Sequence, residues 1–210
     1  MSEDLHQARA FERLVFFSDA VFAIAITLLV LDLRAPVAAD GTLRLARAIP
    51  NVIGFAISFF VIGLQWLSHH RLFATLGRED ARLRGVNLLY LASVAFLPFP
   101  TSVVAQAPLS QTGAVFYAVS VAAMCGLQLV LVLAARRRGL MLPGETNGGT
   151  ARLLLRSSAA PVVFLLSVVA VLGFGAVVAY PFWILAPFAA RLADAAGARL
   201  ARHIDSRASV

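Results

Sequence analysis

Lysine is absent; all 18 basic residues are arginine. Charge of either sign is scarce, at 14% of the 210 residues, whereas ordinary globular domains carry about 25%. A water-soluble surface is hard to build from so little charge. Cysteine occurs once, at Cys125, so an intrachain disulfide is excluded. That thiol lies within an apolar run and reads as a small packing residue. The start of the chain, MSEDLHQARAFER, lacks the basic n-region and cleavage site of a secretory signal, so the first apolar run is expected to be retained. Long polar stretches, internal repeats and low-complexity tracts are missing too, which leaves no room for a soluble domain.

What remains is apolar. Hydrophobic residues make up 60% of the chain, and the mean hydropathy is +0.83. A membrane span needs about 20 mostly apolar residues. Six windows qualify, near residues 14–33, 49–67, 86–105, 113–135, 153–172 and 175–192. They are too long and too evenly apolar for barrel strands, so an all-α polytopic membrane protein is expected, with one six-helix domain over 1–210. Pro50 marks a helix start. The net charge of +7 raises the question of nucleic acid. No nucleic-acid partner is expected, because the arginines cluster between apolar windows, as membrane topology requires. Fifteen of the arginines fall on one side of the six windows and three, Arg34, Arg44 and Arg47, on the other. The positive-inside rule then predicts that both termini are cytoplasmic.

The first window, RLVFFSDAVFAIAITLLVLDL, carries Arg13, Ser18 and Asp19 at its front. With Ile24 at zero and 100° per residue, Phe17 falls at about +20°, Thr27 at about −60°, Leu28 at about +40° and Leu31 at about −20°. Arg13 and Ala20 join the same stripe. Ser18, at about +120°, and Asp19, at about −140°, turn away from it. An ionised carboxylate within a span costs about 2.5–3.5 kcal/mol on insertion scales, so it seeks a partner or water. Donors at matching depth are Trp66, His69 and His70 on the second helix and Asn87 on the third. A packing hydrogen bond is the commoner role for such an aspartate, and a proton relay the rarer one. The two histidines also fit plain interfacial residues, and they lack the carboxylate or thiol companions of a metal site. An Ile/Leu stripe on its own is usually lipid-facing or core surface. Asp32, at the far end, fits either an interfacial residue or a cation attractor at a vestibule.

The motif Arg13-x-x-x-Phe17-Ser18-Asp19 resembles the R-x-x-x-F-S-D signature of the transmembrane protein 175 family. The similarity extends through AVFAIAITLLVLDL, WLSHHRLF and NLLYLASVAFLPFPT, about the first half of the chain. The second half agrees in span count and spacing. The resemblance implies a potassium-selective or weakly selective ion channel without a TVGYG filter. It implies that the first helix lines the pore and that Ile24, Leu28 and Leu31 constrict it, with Thr27 bearing on selectivity. It implies that Arg13, Phe17, Ser18, Asp19, Trp66, His69, His70 and Asn87 form the motif network that locks the helix. Animal members carry two six-helix repeats and dimerise, so a one-repeat chain implies a homotetramer. The expected partners are further copies of the chain, the lipid bilayer and permeant monovalent cations. No cofactor, resident metal or enzymatic activity is expected, and K+ is the permeant ion. The lysine-free, Ala- and Arg-rich composition fits a GC-rich bacterial genome and so a bacterial cell membrane.

A proton-conducting channel and a secondary transporter of a small cation are the alternatives. Pro98, Pro100, Pro181 and Pro187 interrupt helices as transporters do, yet no ionisable residue lies near mid-span to couple an ion. An intramembrane enzyme lacks an evident nucleophile beside the His pair and Asp19. A purely structural scaffold would also tolerate small-residue helices such as GAVFYAVSVAAMCG.

Overall fold

The computed structural model describes residues 2–33, 42–43, 45–143 and 146–208. Arg34 and Arg44 lie outside the described residues, as do the side chains of Asp32 and Arg47. The helices are α1 (Ser2–Leu28), α2 (Ile49–Ala74), α3 (Ala81–Phe96), α4 (Pro98–Gln106), α5 (Gln111–Arg137), α6 (Asn147–Phe174) and α7 (Ala179–Ala208). Six helical stretches among the described residues are long and apolar enough to cross a membrane, with α3 and α4 together supplying one of them. The chain is therefore an all-helical, multi-pass membrane protein.

Local chemistry sets the helix ends. Asp80 caps α3 by accepting the Leu83 N–H at 2.8 Å, which starts that helix at Ala81, five residues before its apolar window. Proline lacks the N–H a helix interior needs, so α3 ends before Pro98, and α4 restarts with proline in its first turn. Ser110 and Thr146 cap α5 and α6 in the same way as Asp80. Gly175, at φ +88°, ends α6 in a conformation that side chains rarely adopt. Several helices run past their apolar windows. α1 begins twelve residues before Leu14, α2 continues to Ala74, and α7 continues well beyond Leu192. The last apolar window, 175–192, opens instead with Gly175 and a short 3-10 turn, Ala176–Val178.

α1 packs on α2 and α3, α2 packs on α4, and α3 packs on α5; the α6–α7 hairpin closes against α5. The core is large and apolar, with Phe22, Ile62, Leu72, Leu83, Tyr90, Tyr117, Met124 and Phe164 all under 2% exposed. Trp183 joins it and donates its indole N–H to Ser167 at 3.1 Å. The α6–α7 hairpin is close-packed. A methyl group added at Gly148 would sit 2.6 Å from the Ala201 carbonyl oxygen.

The α2–α3 and α5–α6 loops, at the arginine-rich end of the bundle, are stitched together. Gly77 N–H donates to the Leu140 carbonyl at 3.0 Å, and Leu142 N–H to the Thr75 carbonyl at 2.9 Å. Arg138 pairs with Asp80 across the same gap. The Leu83 N–H, and then Arg138, hold the Asp80 carboxyl below its ordinary range. A depressed carboxylate stabilises the fold above its unfolded pKa, and that contribution is lost as pH falls through the depressed value. Exchange protection at the Leu83 amide, corrected for intrinsic rate, should therefore hold from neutral pH to about 4 and decline only below. In an Asp80→Asn protein that acid-dependent decline should be missing.

Candidate functional site

The polar residues of α1 meet their partners at one level of the bundle. The indole N–H of Trp66 donates to Asp19 Oδ1 at 2.8 Å. Beside this pair runs a chain of three hydrogen bonds. His69 Nε2 lies 2.9 Å from Asn87 Oδ1, Asn87 Nδ2 donates to Ser18 Oγ at 3.0 Å, and Ser18 donates to the Leu14 carbonyl at 2.8 Å. The direction of the chain follows from its last member. A carbonyl only accepts, so the Ser18 proton is committed to Leu14, and Ser18 must accept from the Asn87 amide. Asn87 Oδ1 then faces the imidazole, which assigns the proton to His69 Nε2.

These groups are dry. Ser18 and Asn87 are fully buried, and His69 is 1% exposed. The His69 ring lies between aromatic neighbours: Phe73 with centroids 4.1 Å apart, Tyr90 at 5.6 Å and Phe22 at 5.5 Å. In a medium without water, an unmade hydrogen bond has no substitute, so the chain fixes the rotation and depth of α1.

Five of the eight expected network residues thus come together: Ser18, Asp19, Trp66, His69 and Asn87. Three do not. His70 is exposed and lies beside Trp66, with ring centroids 5.7 Å apart. Phe17 is 52% exposed and sits on the stripe instead of in the network. Arg13 is exposed and makes no ion pair or hydrogen bond among the described residues. Neither histidine bonds to Asp19, and Asn87 serves Ser18. The cause is geometric: on α2, His69 is turned about 60° from Trp66, so the two reach different acceptors on α1. Tyr90 and Phe22, which enclose His69, were not among the expected residues. Their spacing carries the signal, since Tyr90 lies one turn beyond Asn87 and Phe22 one turn beyond Ser18.

A second buried polar layer joins α2, α4 and α5. The Ser58 hydroxyl lies 2.8 Å from that of Thr101 and 3.0 Å from that of Tyr117. Gln65 donates to Cys125 Sγ at 3.1 Å. These contacts hold helices together away from α1.

The opposite face of α1 is bare. Ile24 is 58% exposed, Leu28 41% and Leu31 70%, and Thr27 is exposed between them. Phe22, Ala25 and Leu29, about half a turn around the helix, are buried. Thr27 donates its hydroxyl proton to the Ile24 carbonyl at 2.9 Å. Its oxygen lone pairs are what it presents outward, and lone pairs are what a cation accepts.

The fold and this site define a multi-pass membrane protein whose first helix is locked on one face by buried hydrogen bonds and free on the other. Residues 13–98 match the family described as the endosomal/lysosomal potassium channel TMEM175. A potassium channel of Streptomyces collinus is 45% identical over 98 residues, which cover 45% of this chain and 47% of that one. The endosomal/lysosomal proton channel TMEM175 of Bos taurus is 38% identical over 106 residues, 45% of this chain and 22% of its own. Among solved structures, a crystal structure of a lysosomal potassium-selective channel TMEM175 homolog from Chamaesiphon minutus superposes with a TM-score of 0.72. It is 27% identical, and the match covers 89% of this chain and 99% of that one. Within its first half, over residues 13–98, the chain is thus similar to the TMEM175 family. Its match spans about half the length of the bacterial relatives found by sequence and less of the animal ones.

Proposed function

We propose that this protein is a potassium channel whose pore is lined by α1, with four copies of the chain around one axis. The observation that carries this reading is the free stripe of Ile24, Thr27, Leu28 and Leu31, opposite a face that buried hydrogen bonds hold fixed. A helix that only met lipid would need no such fixed rotation. The names of the bacterial relatives and of the matched crystal structure support the same reading. Rings of Ile24, Leu28 and Leu31 form a hydrophobic gate that conducts when wet and closes by dewetting. Thr27 oxygens, one per subunit, coordinate a partly dehydrated K+ and favour it over Na+. The arginine-rich end of the bundle faces the cytoplasm with both termini, in the cell membrane of a bacterium.

The test is a flux assay on the full chain in vesicles carrying a K+ gradient. Potassium should cross without a second substrate. A Thr27→Val protein should assemble as the original does and show a lower K+ to Na+ permeability ratio. An unchanged ratio in both cations removes Thr27 from the ion path. A second reading is favoured by the name of the bovine relative, a proton channel. A pH gradient imposed without K+ separates the two: if protons alone move, the proton reading replaces the potassium one.

A further inference from the structure

We propose that a cavity at the arginine-rich end, between α2, α6 and α7, binds an anionic phospholipid. The cavity measures about 210 Å³. Arg71 of α2, Arg156 of α6 and Arg191 of α7 line it, together with Leu64, Phe164 and Pro187. No residue of α1 lines it, and it shares no residue with the α1 hydrogen-bond chain.

The charges do not balance. Among the described residues, Asp194 is the acidic group that pairs with a member of this arginine set. It accepts a two-point contact from Arg152, at 3.0 and 2.8 Å. Arg156 reaches the same carboxylate only at 3.5 Å, and its side chain is 17% exposed. Arg71 and Arg191 are exposed and form no ion pair or hydrogen bond among the described residues. Of the three guanidinium groups on the cavity, only Arg156 reaches a carboxylate, and Arg152 already engages that one, so the site is complementary to an anion. Guanidinium groups match phosphate oxygens in geometry as well as charge.

The polarity of the walls selects a lipid over a free anion. On each of the three helices the arginine lies toward the same membrane face, and the apolar residue lies deeper. The offset along the axis is about 10 Å from Arg71 to Leu64, about 12 Å from Arg156 to Phe164 and about 6 Å from Arg191 to Pro187. A charged rim over an apolar interior is the arrangement of a phospholipid's phosphate over its acyl chains. A space of about 210 Å³ takes the glycerol end and the first methylenes while the tails stay in the bilayer. Pro187 of α7 stands on the wall, and Pro161 of α6 lies one turn beyond Ser157, another lining residue; neither proline offers a backbone N–H to its helix. With the orientation proposed above, the cavity opens to the cytoplasmic leaflet, where basic pockets between helices bind anionic headgroups.

The test needs no current, so it stands apart from the channel reading. The full chain, purified in neutral detergent and stripped of lipid, is titrated with dioleoylphosphatidylglycerol, dioleoylphosphatidylcholine or inorganic phosphate, and bound adducts are read by native mass spectrometry. Phosphatidylglycerol should bind more tightly than the other two. The pair Arg71→Ala with Arg191→Ala should weaken it about thirtyfold, roughly fivefold for each basic residue. Neither side chain holds the fold, and helicity by circular dichroism should be unchanged. Ala190→Trp, which fills the wall and keeps every arginine, should also weaken it. The pair Arg199→Ala with Arg202→Ala, elsewhere on α7, should not. Equal affinity for the two lipids overturns the proposal. So does an equal loss from the Arg199 and Arg202 pair, which would mean diffuse surface charge, or phosphate binding as tight as the lipid.

Discussion

An Ile24→Asn protein is expected to carry several times the potassium flux of the unsubstituted channel at equal protein density. A ring of isoleucine side chains offers water no hydrogen bonds, so a narrow passage there empties and the ion meets a barrier. An amide at the same place gives water donors and acceptors and keeps the passage filled. A tenfold rise in flux corresponds to about 1.4 kcal/mol off that barrier. Ile24→Ala, which widens the passage without adding polarity, should raise flux less. Folding should be spared in both, because Ile24 is 58% exposed within the chain and takes no part in its core. The contrast is Phe22, two residues earlier, 1% exposed and packed against His69 and Tyr90. Phe22→Ala should lower thermal stability by about 3–5 kcal/mol. If Ile24→Asn leaves flux unchanged and instead reduces the protein recovered from membranes, the stripe faces lipid and the pore lies elsewhere.

Much of this arrangement was legible in the sequence, for a physical reason. Lipid imposes a minimum length and a strict polarity on each span, so six windows, their helical nature and the two faces of the first helix all follow from hydropathy and a period of 3.6. The split of Ser18 and Asp19 from the Ile24 stripe is a matter of angle alone, and it holds in the structure. The pairing of partners was not legible. Trp66, His69, His70 and Asn87 are all donors at one depth, and composition does not choose between them. The choice depends on how α2 is rotated, which the whole bundle decides. That rotation turns His69 inward to Asn87, leaves His70 outside and gives Asp19 to Trp66. The reach of the helices beyond the apolar windows was equally hidden. α3 starts at Ala81 because Asp80 caps it, and α7 runs past Leu192 because its polar end packs on α6, where Arg152 meets Asp194.

The resulting shift of weight from Asp19 to Asn87 has a measurable consequence. Asn87→Ala should be the most damaging substitution in the polar network, costing about 2–4 kcal/mol of thermal stability. Asn87 is fully buried, and both ends of its amide are used. Its removal leaves the His69 N–H and one Ser18 lone pair without partners, in a site that water does not reach, and adds a small void. Asp19 is only partly buried and accepts one bond, from an indole. Asp19→Ala should therefore cost about 1 kcal/mol, and Asp19→Asn less still, because its amide oxygen can go on accepting from Trp66. The chain also predicts coupling. Ser18→Ala and His69→Ala act through the same amide, so their combined loss should differ from the sum of the two single losses by about 0.5 kcal/mol or more. Ser58→Ala, in the separate polar layer of α2, α4 and α5, should add independently to His69→Ala. Thermal unfolding of the purified assemblies measures all of these. Conductance is the separating readout: channels of Asn87→Ala that remain folded should pass potassium at the ordinary unitary rate, because the amide points away from the stripe. A stable Asn87→Ala protein with altered unitary conductance would invert the division of labour between the two faces of α1.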